Sequence, residues 1–247
     1  MSVWFTIPSA RPVEEAEKVL KLWRQQGYKI ALWRDAEGDM QPGVYDVMMV
    51  DLSVSYPGYA KAVNALITEV VGRDPSAEWF VIGGDDTEPD PNHTAEEIAR
   101  DLSAEFYNRT PFQDWKRWST FGVMQPTGDR FAGGSIDRIA GSAWIGREFA
   151  RRINQGNGPL WPEYHHMFVD EELQNVAIKY GCFWQRPDLI QLHRHFMRAN
   201  EKTTSEAVVK PIPEHLVKWN TPEHWKESKL IFNTRKANVF PGSEPLP

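Results

Sequence analysis

Short apolar runs alternate with amphipathic segments over the first third of the chain. Four runs have the length and the aromatic or β-branched content of strands, at residues 3–7, 29–33, 46–50 and 79–82. Between them, apolar residues recur at helical spacing, which predicts one helix that ends at Gly27 and a second over residues 57–72. Strands that alternate with helices favour an α/β fold with a mostly parallel sheet flanked by helices.

The pattern is less regular after residue 86. It predicts helices over residues 94–106, 143–153 and 171–180, and strands over residues 120–125 and 189–193. Glycine, serine and charged residues dominate residues 128–137, which is typical of a mobile loop.

Prolines recur from residue 211 to the end of the sequence. Because proline interrupts helices and central strands, they exclude long regular structure in this part. We predict that residues 1–198 form the domain and that residues 199–247 form an extended tail packed on it. One short helix is predicted within the tail, near residues 221–232.

Composition is that of a globular protein. Of the 247 residues, 41% are hydrophobic, which is enough for one α/β domain with additions. The single cysteine, Cys182, excludes an internal disulfide and suits a reducing compartment. The N-terminus does not resemble a signal peptide, and no apolar run approaches the ~18 residues of a membrane span. We therefore expect a soluble, cytoplasmic protein without a membrane partner.

Charge is spread unevenly along the chain, whose net charge is -6. Acidic side chains outnumber basic ones over residues 1–185, whereas basic side chains are in excess over residues 186–236. An acidic domain does not attract nucleic acid by charge alone, so a polyanion would have to approach the basic part.

Two adjacent carboxylates, Asp85 and Asp86, follow the strand predicted over residues 79–82 and two glycines. Open α/β sheets bind ligands beyond the carboxyl ends of their strands. Two acids there repel each other unless a cation lies between them, and a hard divalent ion in that position can hold a diphosphate. The same residues also suit an ordinary turn, because glycine and aspartate favour turns.

Two further candidates lie later in the chain. In an extended segment, His193 and His195 would point to the same side, either as merely structural residues or with one of them as a metal ligand. Asp170 stands at the predicted start of a helix. It is either an ordinary cap or, pointing outward from the cap position, a general base.

Small residues precede a predicted helix at Gly141 and Ser142, next to Trp144. The N–H groups at such a helix start can meet an oxyanion, although a solvated basic face is an equal alternative. His165 and His166 either line an acceptor site or fill a loop.

Taken in order over residues 3–198, these motifs resemble those of GT-A fold glycosyltransferases. An Asp-x-Asp signature at a strand end binds a divalent ion and the donor diphosphate in that family. The matching segment here reads Gly84-Asp85-Asp86, with glycine in place of the first acid.

Two more positions carry the resemblance. The family's catalytic base lies two residues before a Glu-Leu pair, which matches Asp170. A late histidine often completes the metal site of the family, a position that His193 or His195 would take together with Asp86.

The resemblance implies transfer of a sugar from a nucleotide-sugar, with a UDP-sugar as the expected donor and Mn²⁺ or Mg²⁺ as the cofactor. Asp170 would deprotonate the acceptor hydroxyl in an inverting displacement. The donor would be held by Pro8, Ser9, Arg11, Asp85 and Asp86. The acceptor would be bound by Gly141, Ser142, Trp144, His165 and His166.

Residues 121–130 and 168–173 look like segments of proteins encoded by bacteriophages and prophages. Because some phage glycosyltransferases decorate hydroxymethylated bases, modified DNA is the expected acceptor, and the host cytoplasm is the expected location. The target base would leave the duplex stack and lie against Trp184, Trp219 or Trp225.

Other classes of protein share parts of this pattern. A nucleotidyltransferase would use a similar metal and diphosphate edge, but residues 9–12 are a poor version of its early phosphate loop. A non-catalytic binding protein with the same fold would explain the glycine at position 84. A glycoside hydrolase would need Asp170 as a second carboxylate, because Asp85 and Asp86 are adjacent and do not face each other.

Overall fold

The computed structural model describes residues 1–35, 43–51, 56–109, 118–129, 141–194, 217 and 220–247. Within these residues the strands are β1 (Ser2–Ser9), β2 (Lys29–Asp35), β3 (Val47–Asp51), β4 (Ala77–Val81), β5 (Thr87–Glu88), β6 (Val123–Pro126), β7 (Trp144–Gly146), β8 (Phe183–Arg186) and β9 (Leu192–His193). The α-helices are α1 (Val13–Gln25), α2 (Tyr59–Arg73), α3 (Ala95–Arg109), α4 (Arg147–Arg152), α5 (Val169–Lys179) and α6 (Pro222–Ala237).

Seven of the described strands form one sheet, in the order β3-β2-β1-β4-β7-β6-β8. Strands β1 to β4 are parallel to one another, and β8 is parallel to β6. Strand β7 is antiparallel to both of its neighbours. The prediction of an α/β fold with a mostly parallel sheet is therefore confirmed. A second, two-stranded sheet pairs β5 with β9 in antiparallel fashion.

Aromatic packing attaches α1 to the sheet. The ring of Trp23, on the buried face of α1, stacks on the ring of Phe5 in β1 with centroids 3.9 Å apart. The Trp23 indole N–H also donates to the carbonyl of Thr87 at 2.7 Å. Trp23 therefore contacts both β1 within the sheet and the first residue of β5, the strand that follows β4 in the chain.

The prediction of a helix over residues 143–153 is wrong for the first part of that range. Residues Trp144–Gly146 form the buried strand β7, and α4 begins only at Arg147. Three residues are too few to show the period of two that identifies a strand. Gly146 is required there, because a Cβ atom would lie 2.1 Å from the carbonyl oxygen of Thr120. The sequence pattern also does not predict β8.

The C-terminal part contains a longer helix than predicted. Helix α6 spans 16 residues, and the Thr221 hydroxyl caps its start by accepting a hydrogen bond from the His224 N–H. A buried ion pair between Arg235 of α6 and Glu172 of α5 attaches the helix to the domain. Of the tail predicted over residues 199–247, the structure describes residues 217 and 220–247, whereas the boundary between residues 198 and 199 lies outside the described residues. No helix in the described part is long and apolar enough to cross a membrane.

Candidate functional site

Strands β1 and β4 are parallel neighbours and end at the same edge of the sheet, which we call the carboxyl edge. The Ser9 hydroxyl at the end of β1 donates to Asp85 Oδ2 at 2.6 Å, and Arg11 Nε donates to Asp85 Oδ1 at 2.6 Å. Arg11 Nη2 lies 3.6 Å from Asp86 Oδ2. Two adjacent acids were expected to need a cation, and the guanidinium of Arg11 is in that position.

Arg11 stays positively charged in this setting. Its burial alone would lower the pKa of the guanidinium, but the charges of Asp85 and Asp86 and the hydrogen bond to Asp85 raise that pKa. The adjacent acids are therefore compensated by the chain itself. Asp85, which is buried, is the more tightly held of the two.

A second arginine, Arg34 of β2, fixes the backbone of this segment. The side chain of Arg34 is buried, and its Nη1 donates to the carbonyls of Ser9 at 3.1 Å and Arg11 at 2.9 Å. Sequence reasoning missed this residue. The available signal was a charged residue directly after the run predicted as a strand over residues 29–33, because such a charge is buried only when it has partners.

The two-stranded sheet brings a late histidine to the carboxyl edge. Thr87 pairs with His193, and the Arg194 N–H donates to the Asp86 carbonyl at 2.7 Å. As a result His193 Nε2 lies 3.3 Å from Asp86 Oδ1. The His193 N–H also donates to Asp129 Oδ2 at 2.9 Å. Most of the loop predicted over residues 128–137, and His195, lie outside the described residues.

Asp86 and His193 bring a carboxylate oxygen and an imidazole nitrogen next to each other. Ligands of an ion at about 2.1 Å lie about 3 Å apart when they are neighbours, so the observed 3.3 Å fits two ligands of one Mg²⁺ or Mn²⁺. Among the residues that the structure describes, no three His, Cys, Asp or Glu side chains gather into a group that could hold a metal ion. These two side chains alone are therefore fewer than the six or more ligands that such ions take.

Asp170 was predicted to lie at the cap position of α5, but it is the second residue of that helix. Phe168 precedes the helix in a left-handed conformation, with φ 67°, and the Glu171 N–H donates to Asp170 Oδ1 at 2.9 Å. Burial raises the pKa of Asp170, and hydrogen bonds from the helix start and the charge of His193 oppose this only in part. Asp170 is therefore more basic than a surface aspartate, and it lies near enough to His193 for their charges to interact.

Tyr59, at the start of α2, was not identified from the sequence. Its hydroxyl donates to the carbonyl of Gly83 at 3.1 Å. Burial, together with the charges of Asp170 and Asp86, raises the pKa of Tyr59 well above its ordinary value. Tyr59 therefore stays protonated beside both acids. A tyrosine after a Pro-Gly turn carries no distinctive sequence signal.

The residues predicted to bind an acceptor separate into two groups. Gly141 is exposed, and a Cβ atom at that position would lie 3.5 Å from Asp170 Oδ2. The ring of His166 lies 6.3 Å from the ring of Tyr59, and the carbonyl of His165 accepts the Tyr59 N–H at 2.7 Å. These three residues surround the start of α2 and the acid of α5.

Ser142 and Trp144 belong to the second group, which is buried. The Trp144 indole N–H donates to Gln191 Oε1 at 2.6 Å, and the Ser142 carbonyl accepts from Gln191 Nε2 at 2.8 Å. Because Trp144 is fully buried in the sheet, its position gives no support to the prediction that it contacts an acceptor. Its role is to connect the sheet to the segment that carries His193.

The three tryptophans considered for base stacking also differ. Trp184 lies between Arg109 and Arg186, whose guanidinium groups are 5.2 Å and 4.8 Å from its ring centre. Trp225 of α6 is 45% exposed and contacts Phe168 edge to face at 5.2 Å, next to the helix of Asp170. Trp219 lies outside the described residues.

The sequence was also compared with known proteins. No protein-family model matches the sequence, and no curated protein matches it.

Proposed function

We propose that this chain is a metal-dependent glycosyltransferase that moves a sugar from a nucleotide-sugar, with a UDP-sugar as the donor, to an acceptor hydroxyl group. The observation that carries the proposal is the convergence of Asp86, His193 and Asp170 at one edge of the sheet. Sugar transfer needs a place for an anionic diphosphate and a base for the acceptor. These residues supply candidates for both, from three distant parts of the chain.

The donor half of the proposed site consists of the end of β1 and the segment after β4. Pro8, Ser9 and Arg11 would contact the nucleotide, and the guanidinium of Arg11 can bind phosphate oxygens. Asp86 and His193 would hold Mn²⁺ or Mg²⁺. When bound, that ion would neutralise part of the charge on the leaving diphosphate.

The acceptor half is formed around Asp170. This carboxylate would take the proton of the acceptor hydroxyl, whose oxygen then bonds to the anomeric carbon of the sugar. The bond from that carbon to the diphosphate oxygen breaks on the opposite face, which inverts the configuration. The raised pKa of Asp170 favours proton transfer to it, and the absence of a side chain at Gly141 leaves room for the acceptor.

The acceptor that we propose is a hydroxymethylated base of DNA. The basic excess over residues 186–236 would attract the phosphate backbone, while the rest of the chain is acidic. A base that has left the stack needs an aromatic surface, and the exposed ring of Trp225 lies beside the helix of Asp170.

A thermal-shift screen of nucleotide-sugars, each with Mn²⁺, Mg²⁺ or a chelator, tests the donor site. A ligand that binds only the folded state raises the midpoint of unfolding by mass action. We expect a metal-dependent rise with a UDP-sugar, and we expect Asp86→Asn and His193→Ala to remove it. Asp101→Asn is the matched control, because Asp101 is exposed on α3. A rise that survives with chelator in all variants would contradict the proposal.

One observation favours a second candidate, a non-catalytic binding protein with this fold. Arg11 already compensates Asp85 and Asp86, and glycine replaces the first acid of the signature. A Cβ atom at Gly84 would lie 2.5 Å from Asp86 Oδ1, so an acid there would displace the present carboxylate. Asp86→Ala separates the two candidates: an enzyme loses turnover and metal-dependent donor binding, whereas a binding protein keeps its affinity for the acceptor.

A further inference from the structure

Arg11 has three acidic partners within reach. Its Nε is 2.6 Å from Asp85 Oδ1, its Nη2 is 3.6 Å from Asp86 Oδ2, and its Nη1 is 3.4 Å from Glu15 Oε2. The contact with Asp85 is a short hydrogen bond, whereas the contact with Asp86 is longer than a hydrogen bond. The guanidinium therefore compensates the charge of Asp86 without a hydrogen bond to it. Of the contacts that Arg11 makes with the two adjacent acids, the one with Asp86 is the weaker.

The backbone of Arg11 is held by a neighbouring strand, whereas its side chain has more than one acidic partner. Its carbonyl accepts from the buried Arg34, so the position of the Cα atom is held by β2. The side chain has several rotatable bonds beyond that point. It also contacts Glu15, which lies on the α1 side and is 51% exposed. The guanidinium can leave Asp86 without loss of every partner.

We infer that Arg11 and a divalent cation are alternative partners of Asp86. In the free protein Arg11 compensates Asp86, and on donor binding it moves to the phosphate oxygens while the cation takes its place between Asp86 and His193. This inference rests on the proposed function. Its physical basis is that two cations on one carboxylate repel each other, whereas a guanidinium binds phosphate at least as well as carboxylate. Metal and diphosphate should therefore strengthen each other's binding.

Titration of Mn²⁺ without any nucleotide tests the exchange directly. Electron paramagnetic resonance measures the free ion, and the proteins compared are the wild type, Arg11→Gln, Arg11→Lys and Arg24→Met. We expect Arg11→Gln to bind Mn²⁺ at least about tenfold more tightly than the wild type, which corresponds to about 1.4 kcal/mol. Arg11→Lys keeps the charge and should bind as weakly as the wild type.

Arg24→Met is the matched control for the loss of one positive charge. Arg24 pairs with Asp46 at 2.8 Å, before the start of β3 and thus at the opposite edge of the sheet. We expect the affinity of the Arg24→Met variant for Mn²⁺ to equal that of the wild type. Asp86→Asn, combined with Arg11→Gln, should remove the gained affinity. If Arg11→Gln does not fold, Arg11→Met provides a second neutral side chain for the same comparison.

Inorganic pyrophosphate in metal-free buffer tests the other half of the exchange. We expect it to raise the unfolding midpoint of the wild type and of Arg24→Met, but not that of Arg11→Gln. Equal Mn²⁺ affinities of the wild type and Arg11→Gln would overturn the inference, and so would equal responses to pyrophosphate. Neither assay contains a sugar donor. A failure of the nucleotide-sugar screen would therefore contradict the proposed function while these two results still decide the role of Arg11.

Discussion

Asp74 and Asp86 lie at opposite edges of the sheet, and their contacts differ. At the edge where β1 and β4 begin, which we call the amino edge, Asp74 accepts hydrogen bonds from Ser2, Trp4 and Lys29 at 2.7, 3.0 and 2.8 Å. Ser76 adds donors at 2.6 and 2.9 Å. At the carboxyl edge, Asp86 lies 3.3 Å from an imidazole nitrogen and 3.6 Å from a guanidinium nitrogen.

The hydrogen bonds of Asp74 are therefore shorter than these two contacts of Asp86. Partial burial alone would raise the pKa of Asp74, but hydrogen bonds from Lys29, Ser76 and Ser2 lower it well below its ordinary value. At the carboxyl edge, burial dominates and the pKa of Asp170 is raised. Asp74 is therefore stabilised as an anion, whereas Asp170 is more basic than an ordinary aspartate.

The largest expected effect in this comparison is on catalysis. Asp170→Asn removes the proposed base and should lower the rate of sugar transfer by about 10³-fold, because general-base catalysis contributes on the order of 10²–10⁴. The free energy of unfolding should not fall, because burial raises the pKa of Asp170 and so disfavours its charged form in the folded state. Release of the nucleoside diphosphate and denaturant unfolding measure the two quantities.

Glu171→Gln, at the next position of α5, is the control for that variant. Burial and the charge of Asp170 raise the pKa of Glu171, so the surroundings of Glu171 resemble those of Asp170. We expect transfer within about threefold of the wild type. If Asp170→Asn kept more than a tenth of the wild-type rate, Asp170 would not be the base.

The second prediction concerns another acid of the same helix. Glu172 is buried, accepts from Arg235 at 2.6 to 3.0 Å and from the Tyr164 hydroxyl at 2.7 Å, and thereby attaches α6 to α5. Glu172→Gln leaves Arg235 buried without its charged partner and should lower the free energy of unfolding by about 3 kcal/mol. Urea denaturation measures this loss.

Two comparisons make that prediction specific. Glu96→Gln disrupts an exposed pair with Arg100 and should cost less than about 0.5 kcal/mol. Glu172→Met combined with Arg235→Met replaces the buried pair by apolar groups, and its loss should be smaller than the sum of the two single losses. Additive losses would show that the pair does not act as a unit.

Strand directions and the order of motifs were enough to predict part of the site. Asp85 and Asp86 end up at the carboxyl edge because they follow a buried strand of a parallel sheet, and this needs no knowledge of side-chain contacts. The late segment with His193 reaches the same edge through pairing of β5 with β9. Each of those strands has two residues, so periodicity could suggest the segment but not its partner.

The rest of the site depends on contacts that the sequence does not encode locally. Arg11 and Asp85 are 74 positions apart, and their hydrogen bond follows from the register of β1 with β4. Arg34 supports them from a third strand. Trp144 was expected at the acceptor because small residues before it suggested a helix start. It lies in the core because the short strand β7 occupies the middle of the sheet.

The third prediction tests the amino edge. Asp74→Asn removes the charge that Lys29, Ser76 and Ser2 stabilise, and should lower the free energy of unfolding by about 2 kcal/mol at pH 7. The folded-state pKa lies below that of the unfolded chain, about 3.9, so the stabilisation is complete above that value. It is lost as the pH falls through the folded-state pKa.

The difference between the wild type and Asp74→Asn should therefore be largest near neutral pH and should shrink below about pH 4. Denaturant unfolding over a series of pH values measures it. Asp101→Asn, which removes an exposed acid, should show a small difference at every pH. A constant penalty for Asp74→Asn down to acid pH would mean that its charge contributes nothing and that only its shape matters.

The smallest effect is expected at Tyr59, whose pKa is raised by the charges of both Asp170 and Asp86. Tyr59→Phe removes the hydrogen bond to the Gly83 carbonyl and should cost about 1 kcal/mol of stability. Because burial and the charges of Asp170 and Asp86 keep Tyr59 protonated, it can donate there but does not act as a base. Transfer should fall severalfold, far less than in Asp170→Asn, because only the position of the strand end changes. Tyr107→Phe, an exposed tyrosine of α3, is the control. A loss as large as that of Asp170→Asn would contradict a role for Tyr59 that is limited to positioning the strand end.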